Sequence, residues 1–365
     1  MGKRNYSIEL LRFVFALIIV CFHFYNVNMP QPDFFFAHGA TGVEFFFLVS
    51  GYLMTATAFR TSSSPISIGK SSIHFLKKKI KAFIVPVYCS WFITFITAHC
   101  MESNVTLEII LTDFFNSIFE LLFLRNAGFT GYYCVNQIWY ISAILLAMSV
   151  CYPLLLKLKE TYLYCLAPII AIFILGFLSH QYTSIVNISE FTGIIYKCQL
   201  RSFGMINLGV VCYALAEELK KVKLTKAGIV TLSLIEICIY TVSIRYMILP
   251  GLKNQDYLIA LLLAIAVIIS FSQVTWLRLL SDYFSPICSR LGCFSLYLYL
   301  AHVAICKNIV PLLEKQFSSR KIVFIIGMTM IFILSFIIMF LTCLVRKRVL
   351  PWLKQLLTIP PSSIF

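Results

Sequence analysis

IVFIIGMTMIFILSFIIMFLTCLV, residues 322–345, places 24 positions in a row without a charged side chain. As a helix rising 1.5 Å per residue this stretch is about 36 Å long, more than the roughly 30 Å of hydrocarbon in a bilayer. Lipid offers no water to backbone amides and carbonyls, so such a run must close its own hydrogen bonds, which a helix does. Residues 161–179 and 257–275 are also free of charge. Their hydrophobicity is continuous rather than alternating, which excludes the strands of a membrane barrel. The fold class expected is all-α, a polytopic integral membrane protein.

Composition agrees. A chain of 365 residues that is 60% hydrophobic, with mean hydropathy +0.89, has too little polar surface to coat soluble domains. The net charge of +15 would suggest nucleic acid in a soluble protein, but the basic residues sit mainly between apolar runs, where they set orientation. Nucleic acid is therefore excluded as a partner. The 13 cysteines are scattered without a CxxC pair and read as small apolar fillers, so no metal site is expected. The first apolar stretch follows Lys3 and Arg4 like a signal peptide, yet it contains Arg12 and His23 and has no convincing cleavage site. It reads as a retained first span.

Ten spans are expected, at about residues 8–28, 40–59, 82–100, 138–156, 161–180, 200–219, 228–249, 257–275, 292–312 and 322–345. With the N-terminus inside, the inner segments hold 20 of the 30 Lys and Arg residues and the outer segments 7. Both termini are therefore expected in the cytoplasm. Residues 108–125 are apolar but carry Glu108, Asp113 and Glu120, and insertion there would invert every later loop. That stretch is expected to be an outer interfacial or re-entrant helix. The run from Ser62 to Ser64 before Pro65 reads as an inner loop, residues 1–345 as the membrane domain, and residues 346–365 as a short cytoplasmic tail.

Ionisable groups inside spans are costly and so draw attention. Arg12 and His23 are eleven residues apart, which puts them about 20° apart around a helix and about 16 Å apart along it. They share a face, Arg12 near the cytosol and His23 in the outer half. Glu44, near the outer start of the second span, returns to about the depth of His23. It has two candidate partners: His23, where it would fix the imidazole tautomer, or Arg201 at the outer end of the sixth span. His302 falls near mid-membrane in the ninth span. The lysines at 77, 78, 79 and 81 lead into the third span and serve orientation, phosphate binding, or both. His38, His74, His99 and His180 fall in loops or at span ends and are given no role.

Several blocks together resemble the membrane acyltransferase-3 family. Ile8-Glu9-Leu10-Leu11-Arg12 through Cys21-Phe22-His23 resembles its Arg/Lys-x10-His signature. Gly42-Val43-Glu44-Phe45-Phe46 through Ser50-Gly51-Tyr52 resembles its second-helix block, with Glu44 where Asp is usual. The basic run through Pro86 resembles the start of the third helix, with lysines where the family shows arginines. Gln137-Ile138-Trp139-Tyr140-Ile141-Ser142 resembles the W-x-L-S block, and Ser295 through Tyr299 and His302 a late S-x-x-x-Y-L-x-H block.

The resemblance implies an acyltransferase that moves an acyl group, acetyl by expectation, from cytosolic acetyl-CoA or another acyl-CoA to a hydroxyl of a surface or extracellular glycan. It implies His23 as catalytic base with Glu44 tuning its protonation, Arg12 as a donor-channel or site-organising cation, and Lys78 and Lys81 as partners for the CoA phosphates, with Trp139 and His302 as further candidate site residues. It also implies the bacterial cytoplasmic membrane, a glycan acceptor and polysaccharide-assembly proteins as partners. Many relatives carry a further soluble domain. This chain runs only about twenty residues past its last span, so it is expected to finish the transfer itself or hand over to a separate protein. The rival reading is a transporter or flippase of a glycolipid or small anion, weakened because no inverted repeat or pair of broken helices is visible.

Overall fold

The computed structural model describes residues 4–28, 34–61, 67–102, 104–135, 137–186, 188–349 and 351. The expected inner loop around Ser62, Ser64 and Pro65, the flanking Lys3, and the tail beyond residue 351 lie outside the described residues. Among these residues fourteen α-helices follow in order: α1 (Tyr6–Asn28), α2 (Gly42–Thr61), α3 (Ile68–Met101), α4 (Leu107–Asn116), α5 (Ile118–Leu121), α6 (Ile138–Thr161), α7 (Ala167–Gln181), α8 (Lys197–Lys221), α9 (Lys226–Ile248), α10 (Asp256–Ser272), α11 (Trp276–Tyr283), α12 (Ser285–Val303), α13 (Val310–Gln316) and α14 (Arg320–Leu344). Among the described residues no strand forms.

Eight continuous helical stretches among the described residues are long and apolar enough to cross a membrane, and α10 with α11, bent by 62°, makes a ninth. One of the eight, residues 138–181, is 44 residues long, about 66 Å if straight and twice what a single crossing needs. It breaks at Lys159, whose φ of 44° and ψ of −113° are not helical. The packing on α8 shows that the chain reverses there. Trp139 lies under Arg201 and Cys151 meets Asn207, so α6 runs parallel to α8. Tyr164 meets Glu218 and Ile174 lies against Gly204, so α7 runs antiparallel to it. Counted as two, α6 and α7 bring the crossings to the expected ten.

Two close packings set the frame. A Cβ on Gly51 of α2 would stand 2.3 Å from the Ile206 carbonyl oxygen, and one on Gly209 of α8 would stand 2.5 Å from that of Leu48. Only glycine on both sides lets these backbones touch, the small-residue contact by which helices associate where lipid supplies no hydrophobic drive. The helices α1 and α12 run parallel. Arg4 donates to Ser289 at 2.8 Å, the Glu9 side chain fills the space that Gly292 leaves, and His23 reaches His302.

Residues 104–135 take the re-entrant form. Asp113 meets His99 at 3.2 Å, while the Tyr88 hydroxyl donates to the Leu121 carbonyl at 3.1 Å. Between those contacts the segment descends beside α3 by eleven residues of that helix, about 16 Å. It then climbs back, because Tyr132 again packs on Phe95 and His99. Buried Glu120 pins the turn by accepting the Cys134 and Val135 amides at 3.1 Å each and Arg125 at 3.4 Å. Leu107, Leu111 and Phe115 face outward. Irregular backbone at this depth survives because its polar groups are met from within the protein.

Candidate functional site

A cavity of about 210 Å³ lies between α1, α2, α3, α6 and α12. Its inner end is charged and its walls are mostly apolar: Glu9, Arg12 and Lys79 stand beside Ile8, while Ile19, Val43, Phe46, Tyr140 and Tyr299 line the remainder. From Ile8 to Ile19 it follows α1 for about 16 Å. Arg12 is held by Glu9 at 3.2 Å, and Glu9 also accepts from Arg4 at 3.0 Å. The carboxylate thus aims one guanidinium along the cavity and ties the chain start to α12 through Arg4.

Beyond the outer end of the cavity stand His23 and His302. Their rings stack with centroids 4.9 Å apart and an angle of 27°. Tyr299, which lines the cavity, lies 5.7 Å from the His302 ring. The ninth crossing is pinned at this level, since the Leu300 carbonyl accepts both Ser90 Oγ at 2.8 Å and Gln137 Nε2 at 2.9 Å. The Tyr299 hydroxyl in turn donates to the Gln137 carbonyl at 2.8 Å. Immediately after His302 the helix widens into a π-helical turn over Ala304–Ile309, a distortion frequent at functional sites.

Glu44 is not the partner of His23. It is fully buried and paired with Arg201, whose guanidinium also reaches the Ala40 carbonyl at 3.4 Å and lies 5.4 Å from the Trp139 ring. The physical reason is helical phase. Glu44, Leu48 and Gly51 share the face of α2 that packs on α8, so the carboxylate projects toward α8 and its arginine. Trp139 belongs to this outer cluster. Lys78 and Lys81 are exposed on α3, and it is Lys79 that turns into the cavity.

Glu9, Tyr140 and Tyr299 were given no role from the sequence, and Lys79 only a share in the basic run. The choice of Lys79 within that run was legible: it lies four residues after buried Phe75 and four before Phe83, on the inward face of α3. So was Glu9, three residues before Arg12 and hence beside it on the helix. The outer histidines hold structural contacts. His99 bonds Asp113, while His38 meets the Leu252 carbonyl and the Tyr246 hydroxyl at 3.0 Å each. Beside it the Asp256 carboxylate collects Thr41, Ser184, Tyr246 and the Ile185 amide. That carboxylate holds His38 above the usual imidazole range. Among the described residues no group of three or more metal-binding side chains is present.

A bundle of spanning helices surrounds a charged-ended cavity, with a pair of imidazoles one helical turn beyond its outer end, as a membrane-embedded protein with a polar site inside the bundle would have. The chain matches the family described as an acyltransferase domain, acyltransferase-3, over residues 5–345, and belongs to it. It is a multi-pass membrane acyltransferase. Neither the curated proteins nor the solved structures gave a match to the chain.

Proposed function

We propose that this acyltransferase takes an acyl group, acetyl in the first instance, from a cytosolic acyl-CoA and delivers it to a glycan hydroxyl outside a bacterial cytoplasmic membrane. The observation that carries the reading is the cavity itself, cationic at its inner end and apolar along its walls, ending one helical turn short of His23. Arg12 and Lys79 suit an anionic donor, with exposed Lys77, Lys78 and Lys81 drawing its phosphates to the mouth. The apolar walls suit the thin acyl-carrying arm.

His23 then serves as general base. It accepts the proton of the acceptor hydroxyl as that oxygen bonds to the acyl carbon, and it returns the proton to the thiolate that leaves. The half-buried His23 has the more open ring of the pair and is the one to meet an acceptor arriving from outside. Polysaccharide-assembly proteins fit as the source of that acceptor. The test is acyl transfer in membrane vesicles given labelled acetyl-CoA and the native glycan, comparing wild type with His23→Ala at matched expression. Label is expected in the glycan with wild type alone; equal labelling by the variant removes His23 from the mechanism.

A further inference from the structure

We infer that His302 is a second catalytic imidazole, whose N–H hydrogen-bonds the carbonyl oxygen of the acyl group while that group is under attack. This rests on the acyl-CoA reading above. Ile19 on α1 and Tyr299 on α12 both wall the outer part of the cavity. His23 follows Ile19 by four residues and His302 follows Tyr299 by three, so each shares the cavity-facing side of its helix one turn further out. Because α1 and α12 run parallel, both turns lead in the same direction, and the two stacked imidazoles stand together one turn beyond the outermost lining residues.

His302 is fully buried, yet neither ring nitrogen makes a hydrogen bond within ordinary limits, although the Leu298 and Tyr299 carbonyls lie near the ring. For packing alone, a phenylalanine would fill the same stacked position without leaving buried polar atoms unpaired. An orphaned nitrogen one helical turn beyond a cavity's outermost lining residue is instead suited to a partner that arrives with the substrate. Among the described residues no carboxylate contacts either ring, so a charge there has no counter-ion. Each ring then carries one N–H and one bare nitrogen.

The two rings divide the work. The bare nitrogen of His23 takes the proton of the acceptor hydroxyl, the hydroxyl oxygen bonds to the acyl carbon, and the carbonyl π pair moves onto oxygen. His302 donates its N–H to that oxygen without giving up the proton, as a neutral imidazole does when it polarises a carbonyl. Collapse restores the carbonyl and expels the CoA thiolate, which takes the proton from His23. His302 ends as it began. The pinning of Leu300 by Ser90 and Gln137 holds the donor still while charge develops.

The experiment compares wild type, His302→Phe and His302→Gln in proteoliposomes, measuring kcat and the KM for acetyl-CoA, with thermal unfolding of each protein recorded alongside. Phenylalanine keeps the stacked ring and loses the donor; glutamine loses the ring and keeps an N–H. The expected result is a folded His302→Phe protein with kcat lower by about 10²–10³-fold and KM little changed, and a smaller loss for His302→Gln. A packing role gives the reverse order. A His302→Phe protein within about threefold of wild type, or equal losses in two folded variants, overturns the assignment. Wild type that turns over no acyl-CoA overturns the donor reading instead, and this inference with it.

Discussion

Removing Glu44 separates a catalytic carboxylate from a structural one. The side chain is fully buried, as is Arg201, and the pair joins α2 to α8 at the outer end of their contact. Among the described residues, Glu44→Ala leaves the buried guanidinium with the Ala40 carbonyl at 3.4 Å as its remaining hydrogen-bond partner and the Trp139 ring face near it. Breaking a buried pair from one side costs about 3–5 kcal/mol, because the remaining charge has lost its counter-ion. The destabilisation expected is therefore about 3–5 kcal/mol, or roughly 150- to 5,000-fold in the folded-to-unfolded ratio.

Replacing both partners by apolar residues of similar volume removes the stranded charge, so Glu44→Leu with Arg201→Met is expected to recover most of the loss. The assay is unfolding in mixed micelles of the two single variants, the double variant and wild type, with acyl transfer measured on the same preparations. A stable double variant that still transfers acyl groups makes the pair a clamp. The reasoning is refuted by a Glu44→Ala protein as stable as wild type but inactive, since that result puts the carboxylate in the chemistry.

Three further outcomes follow from contacts in the bundle. Lys79→Ala is expected to raise the KM for acetyl-CoA about tenfold, the loss of one well-placed charge contact, while exposed Lys78→Ala changes it far less; equal effects would assign donor binding to the charge of the whole run. Gly209→Ala forces a methyl onto the Leu48 carbonyl and should cost at least about 1–3 kcal/mol in micellar unfolding, and an unchanged unfolding temperature contradicts the close crossing. The His38 contact depends on pH. Its Nε2 faces the Leu252 carbonyl while Nδ1 faces the oxygen of a Tyr246 hydroxyl already donating to Asp256, so both ring positions favour an N–H. Its folded-state pKa is raised by Asp256, so its stabilisation is complete below the ordinary imidazole value of about 6.5 and is lost as pH rises through the folded value. The stability gap between wild type and His38→Gln should therefore narrow with rising pH, and a gap that widens is inconsistent with the contact.

The sequence by itself determined that the chain crosses a membrane as helices, and how often. Residues 322–345 and the other apolar runs have one workable state in lipid, and the distribution of lysine and arginine chooses their direction. It also put Arg12 and His23 on one face of α1, because that relation depends only on the helical repeat within a single element. The reversal at Lys159 was legible as two apolar runs separated by Lys157 and Lys159, although the backbone joins them with a single non-helical residue.

Partnerships between helices were decided by tertiary structure. Glu44 had two candidate partners at about the same depth. The Gly51–Gly209 crossing brought α8 close enough for Arg201 to take it, while the parallel packing of α1 on α12 gave His23 the ring of His302 instead. Depth and phase within one helix follow from the rise and twist per residue, which every sequence shares. Which face meets which neighbour depends on side-chain volumes summed over several helices, and no local pattern along the chain encodes that sum.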